Sequence, residues 1–204
     1  MPQSSPQPKR RKRSAEEARS EALDAARALL IERGPAAVTL ANVGRATEMS
    51  HTNVIHHFGS AAGLQTALME YMIRDLADAL ADAVSALHVD AAAPTRLVDH
   101  VFDAFGEGGA GQLAAWLALS REFEHFDLLR DAVVDLVEAV RARLPDAPGD
   151  EERTRGLVLL IAICAFGDAV IGPHLRPMLG QGDEATRTLV TQLLPLLASP
   201  SATR

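Results

Sequence analysis

Residues 38–58, VTLANVGRATEMSHTNVIHHF, constrain the fold of this chain more than any other stretch, because they hold two short helix-forming runs, each preceded by a capping residue, with a turn between them. Thr39 caps the first run, whose apolar positions Leu40, Val43 and Ala46 fall at helical spacing. Ser50 caps the second, in which Val54 and Phe58 point inward and His51, Thr52, Asn53, His56 and His57 are left outward. A short helix with a hydrogen-bonding outer face, held from behind by a second helix, is the arrangement that enters a DNA major groove. The same residues also fit a small amphipathic hairpin with no partner, since short motifs arise by chance.

Charge is unevenly distributed along the 204 residues. Residues 1–60 hold nine Lys/Arg and six Asp/Glu, a balance of +3, so the formal −7 of the chain leaves −10 for the remainder. A basic N-terminal part on an acidic body suits a protein that meets nucleic acid at one end only. Five of the nine positive charges form the run Lys9, Arg10, Arg11, Lys12 and Arg13, behind a Pro/Gln/Ser tail that cannot build a core. Residues 1–14 therefore read as a solvated, disordered arm, which beside a DNA-reading domain lies along phosphates or enters the minor groove. Basic runs also serve as general nucleic-acid patches.

The rest of the chain reads as helix after helix. Ser14 with Glu17 three residues on is a capping box, opening a helix to Arg33 that stops at Gly34-Pro35 and carries Leu23, Ala26 and Leu30 on one face. Ser60 starts a long helix to about His88, with Leu64, Leu68, Met72, Leu76, Leu80 and Val84 in its apolar stripe. Further helices are expected near 95–105, 112–123, 127–144, 150–171 and 183–197. The turn 106–111 literally matches G-x-G-x-x-G, but its flanks are helical and the dinucleotide fingerprint needs a preceding strand. A flexible interhelical connection accounts for it better.

Residues 157–166 form an apolar run of ten, nearly hydrophobic all round and well short of the roughly 20 residues of a membrane span. A helix with no polar face must be covered on more than one side, and in a body this small a second subunit is the expected cover. The lone Cys164 excludes an internal disulfide framework, reads as a buried structural thiol and fits a reducing cytoplasm. No signal-peptide pattern follows the basic tail. The seven histidines are scattered, and His51 and His56 are five apart, not the three or four that place metal ligands on one face. No nucleophile–base pairing is visible, so neither an enzyme nor a metal or cofactor site is expected.

Residues 32–71, from ERGPAAVTLANVGRATEMSHTNVIHHF through GSAAGLQTALMEY, resemble the N-terminal domain of TetR-type transcriptional repressors. The shared features are a helix ending in Gly34, the Thr39 cap, helix and turn, Ser50, His-His-Phe, and Ser60 opening a long helix with Leu64. Three positions depart from the family pattern: Glu48 where Gly is usual in the turn, Ile55 in place of a phosphate-touching aromatic, and Ala61 in place of a phosphate-touching Lys.

The resemblance implies an all-α protein with a three-helix, helix-turn-helix DNA-binding domain at about 15–75 and a larger helical effector-binding and dimerisation domain at 76–204. It implies that Thr39, Arg45, Ser50, His51, Thr52, Asn53, His56 and His57 face DNA, with the basic arm holding phosphates that Ile55 and Ala61 cannot bind. The middle helices, which carry His100, Phe102, Phe105, Trp116 and Phe123, line a ligand cavity in that family. The last two helices form the dimer seam, here through Leu157, Leu160, Ile161, Cys164, Leu189, Leu193 and Leu197. The expected protein is a cytoplasmic homodimeric regulator, a repressor of operator DNA released by a small, largely apolar effector, with no membrane partner. A helical ligand-binding or scaffolding dimer with a weakened DNA-binding head is the alternative.

Overall fold

The computed structural model describes residues 14–87, 89–120, 127–143 and 150–198, with the backbone alone at 127–129, 150 and 196–198. The basic arm Lys9–Arg13 and Phe123 lie outside the described residues, as does the Leu197 side chain. Every regular element among the described residues is helical: α1 (Ala15–Arg33), α2 (Leu40–Thr47), α3 (His51–Phe58), α4 (Ala61–Ser85), α5 (Ala93–Phe105), α6 (Ala110–Leu119), α7 (Asp127–Arg141), α8 (Asp150–Met178) and α9 (Ala185–Ala198), with one 3-10 turn at Pro35–Ala37.

Local chemistry starts the first four helices where the sequence places them. The Ser14 hydroxyl accepts from the Glu17 amide at 3.0 Å while the Glu17 carboxylate accepts from the Ser14 amide at 2.8 Å. Thr39, Ser50 and Ser60 each accept the amide three residues on, at 3.2, 3.2 and 3.0 Å. Each such cap satisfies one otherwise orphaned donor and is worth about 1 kcal/mol.

α2 meets α3 at Gly44, where an added Cβ would lie 3.0 Å from the Met49 carbonyl oxygen and 3.4 Å from Val54. The buried positions of α2 are Val43, Gly44 and Thr47. Ala46, expected inside, is exposed; the Thr47 hydroxyl takes the inner place by donating to the Val43 carbonyl at 2.8 Å.

Glu48 ends α2 in the left-handed region, at φ 56° and ψ 23°. A residue with a Cβ is disfavoured there by about 1–2 kcal/mol, which Gly escapes at the cost of a more flexible unfolded chain. Glu48→Gly is therefore expected to raise stability by about 0.5–1 kcal/mol in chemical denaturation. An unchanged or lower midpoint would show that the Glu48 side chain's own contacts outweigh the backbone strain.

Among the described residues two cores organise the fold. The larger joins α1 to α4 through Leu23, Ala26, Leu30, Val43, Val54, Phe58, Leu64 and Leu68, and continues into Leu113 and Leu117 of α6. The helix-turn-helix head thus shares its core with a helix of the body. The smaller core packs Val98 and Phe102 of α5 against Ala165 of α8 and Val190 of α9.

α8 extends beyond its expected end near 171, passing Gly172 and Pro173 to Met178. An internal proline removes one backbone bond and crowds the preceding turn, at roughly 3 kcal/mol. A side-chain staple offsets that loss: the Arg176 guanidinium pairs with Asp168 two turns earlier, and Thr186 of α9 donates to the same carboxylate at 2.6 Å. Gly172 sits between them, where an added Cβ would lie 2.8 Å from the Asp168 carboxylate. α8 is consequently long and apolar enough to cross a membrane, although no unbroken apolar run in the sequence exceeds ten residues.

Candidate nucleic-acid interface and ligand cavity

α3 is anchored by Val54, fully buried, and by Phe58, over whose ring the Arg19 guanidinium of α1 stacks at 4.8 Å. Arg19 also donates to the His57 carbonyl at 2.8 Å, closing the end of α3 onto α1. With its inner side fixed, α3 presents His51, Thr52, Asn53, Ile55 and His56 to solvent. The Asn53 amide side chain carries both a donor and an acceptor, the pair that matches the N6/N7 edge of adenine. Ile55, 40% exposed, gives the same face an apolar contact of the kind a thymine methyl accepts.

His57 departs from expectation. It is half-buried, and burial first, then the positive charges of His56 and Arg19, hold its imidazole below the usual histidine range. It is thus less suited than its neighbours to offer a cation to a phosphate. Arg45 is exposed at the end of α2, its guanidinium donating to Asn42 at 3.2 Å. Thr39 and Ser50 are committed to their helix caps and stand at the helix starts, beside amides able to meet phosphate oxygens.

A cavity of about 710 Å³ lies between head and body, walled by α1, α4, α5, α6 and α8. Of the aromatic and histidine candidates, His100 and Phe105 line it, the latter edge-to-face with Phe166 at 6.4 Å. Phe102 does not: it is buried in the smaller core, under the Arg187 guanidinium at 5.6 Å. Trp116 is also absent from the wall and is 38% exposed on the outer side of α6. α6 is apolar almost all round, so periodicity could not tell its cavity side, Ala114 and Ala118, from its outer side.

Much of the wall was not anticipated, including two residues of α1. Arg27 and Ile31 of α1, one turn apart, reach the cavity from the head, and Arg27 bridges to Asp75 of α4 at 2.8 Å. A second tie runs beside it, the Tyr71 hydroxyl donating to Asp24 at 2.7 Å; that bond, with burial, pushes the phenol up to about 12.

The expected seam residues divide between two faces. Ile161 and Cys164 pack against the smaller core, where burial and the nearby Asp168 charge push the thiol up, away from reactive thiolate. Leu157 is half-buried, whereas Leu160 is exposed and continues along α8 with Ile163, Ile171, Leu175 and Met178. Leu189 and Leu193 of α9 are also exposed. The spacing 160, 163, 171, 175, 178 keeps one side of the helix uncovered over about five turns.

The comparisons agree with this geometry. Residues 22–68 match the family model described as bacterial regulatory proteins, tetR family. No curated protein matches the chain. Among solved structures, a TetR-family transcriptional regulator from Pectobacterium atrosepticum is similar at 18% identity and a TM-score of 0.64, over 90% of this chain and 93% of its own. The multidrug binding protein EbrR, complexed with imidazole, is similar at 22% identity and 0.58, over 92% and 98%. The fatty acid degradation regulator FadR from Bacillus halodurans is similar at 12% identity and 0.58, over 95% and 100%. At those identities the structures speak for the fold, and the family match speaks for the head. Residues 22–68 carry the head of the tetR family of bacterial regulatory proteins by this match, and the body that follows has an all-helical fold similar to that of a solved regulator of the family.

Proposed function

We propose that the chain is a dimeric, sequence-specific transcriptional regulator, a repressor released from operator DNA by a small, largely apolar effector, with residues 15–75 as head and 76–204 as body. The observation that carries this is α3, a capped, rigidly anchored helix whose outer face is polar while its inner face is fully used in the core. Such a helix gains nothing for the fold from Asn53 and His56, which suit a groove. Acting on DNA, the protein belongs in the cytoplasm and needs no catalytic group.

Asn53→Ala is expected to weaken operator binding by roughly 1–3 kcal/mol and to leave binding to random DNA nearly unchanged. Equal weakening on both, in a gel-shift or anisotropy titration, would show that Asn53 does not read bases. The arm residues Lys9, Arg10, Arg11, Lys12 and Arg13 are proposed to hold phosphates. Deleting 1–13 should reduce the slope of log affinity against log salt by up to about 0.9 for each phosphate the arm neutralises. An identical slope would show the arm to be idle. Failure of the wild type to bind any duplex would favour the helical scaffolding dimer instead.

Effector control fits the cavity's position. A mostly apolar hollow with few polar groups suits a small molecule, as the multidrug-binding and fatty-acid-related relatives make reasonable. Its walls include both the α4 rod and α1, so an occupant bears on the head directly. An effector shifts DNA affinity only by its differential affinity for the two arrangements, typically about 1–3 kcal/mol, and operator DNA weakens the effector equally.

The uncovered apolar face of α8 and α9 is proposed as the two-fold seam. Exposed apolar surface of this extent marks an interaction site, and the Asp168–Arg176 pair within α8 is costly to place in hydrocarbon. A second copy answers both.

A further inference from the structure

The charges in the cavity wall point to the class of its occupant. Among the described residues three carboxylates line it, Asp75, Asp103 and Glu107, against one guanidinium, Arg27. Asp103 is held from outside the wall by Arg187 at 2.6 Å. Glu107 has no ion-pair or hydrogen-bonding partner among the described residues. Asp75 is held by Arg27, and Arg27 is not part of the body at all: it comes from α1 of the DNA-binding head. A cation on an aliphatic stem, at the wall of a hollow that also has Met69, Met72, Ile73, Phe105 and Phe166 in its lining, thus already makes at Asp75 the contact that a ligand of the same chemistry would make. An anion would meet a wall of net negative charge, whereas a cation would gain in Glu107 an exposed carboxylate that no side chain among the described residues already holds.

We propose that the cavity takes an amphipathic organic cation whose charge is drawn to Asp75 and Glu107, so that the ligand takes Asp75 from Arg27 and loosens α1 from α4. The thioethers and the Phe105–Phe166 pair provide a polarisable apolar bed for the body of the molecule. Ligand and head then compete for one carboxylate. An exposed ion pair is weak in itself, which suits a contact that a ligand must displace. The proposal rests on the effector reading of this cavity and adds to it the ligand's charge and the residue through which it is felt.

The test uses two ions of nearly equal size and shape and opposite charge, tetraphenylphosphonium and tetraphenylborate, titrated calorimetrically into the full chain. Tetraphenylphosphonium is expected to bind at least tenfold tighter. Asp75→Asn should weaken it at least fivefold. Arg27→Gln, which keeps most of the stem and removes the competing charge, should strengthen it at least threefold; thermal unfolding of both variants checks the fold. Binding of neither ion would overturn the effector site itself. Tetraphenylborate binding as well or better would overturn the cation and leave an effector site standing. Unchanged or weaker phosphonium binding by Arg27→Gln would overturn the competition for Asp75.

Discussion

Replacing Ile171 with Asp is expected to give a folded monomer whose operator affinity falls at least about 100-fold. Ile171 is 56% exposed in the single chain, so a carboxylate there meets water and the protomer's own packing is untouched. In the proposed seam the same carboxylate would be desolvated without a partner, at a cost of several kcal/mol. Breaking the dimer separates the two heads, and linked sites gain roughly 10²–10⁴ in affinity over single ones. Ile161→Asp is the contrasting variant. Ile161 is half-buried against the smaller core, so a charge there should unfold the body and not merely divide the dimer. Sedimentation separates the cases: a compact monomer for Ile171→Asp and an unfolded or aggregated chain for Ile161→Asp. A wild-type protein that is monomeric at micromolar concentration would overturn the dimer, and an Ile171→Asp protein that remains dimeric would move the interface elsewhere.

Leu30→Ala is expected to lower global stability by about 2–5 kcal/mol. Leu30 is fully buried in the larger core, and its Cδ2 lies 3.1 Å from where a Cβ on Gly109 would stand, in the turn between α5 and α6. Truncation leaves a void that the surrounding helices cannot close without shifting the head against the body. Against the roughly 5–15 kcal/mol typical of a domain, that change brings the protein close to unfolding. Because Leu113 and Leu117 of α6 complete the same core, denaturation should stay a single transition at a lower midpoint. Destabilisation below about 1 kcal/mol, or two transitions of which only one moves, would contradict a core shared between head and body.

The caps at Ser14, Thr39, Ser50 and Ser60 were legible in the sequence because each depends on atoms within three residues. The stripe of α4 was legible for a related reason: a regular spacing and a regular helix leave few choices of face. At Glu48, in a turn usually filled by Gly, the sequence left open a looser turn or a strained residue, and the structure has the second, at φ 56°. What escaped depended on neighbours distant in the chain. α8 runs through Gly172-Pro173 because Asp168, Arg176 and Thr186 hold its end, and nothing local announces that staple. Trp116 and Phe102 carry the composition of a ligand wall but face solvent and core respectively. Arg27 is only one of nine basic residues in the charge balance of residues 1–60, and only the packing of α1 against α4 puts it in the cavity wall. The one local hint was Ile31, an apolar residue one turn after it, outside the Leu23, Ala26 and Leu30 face and 53% exposed.

Selection of bound duplexes from a random pool, followed by sequencing, tests the DNA-reading role of α3 most directly. A two-fold pair of reading helices predicts enrichment of a near-palindrome with half-sites about 34–36 Å apart, or a multiple of that, and relaxed selection at one base pair per half-site in Asn53→Ala. A pool that stays random under wild-type selection at moderate salt would contradict sequence-specific recognition by this chain.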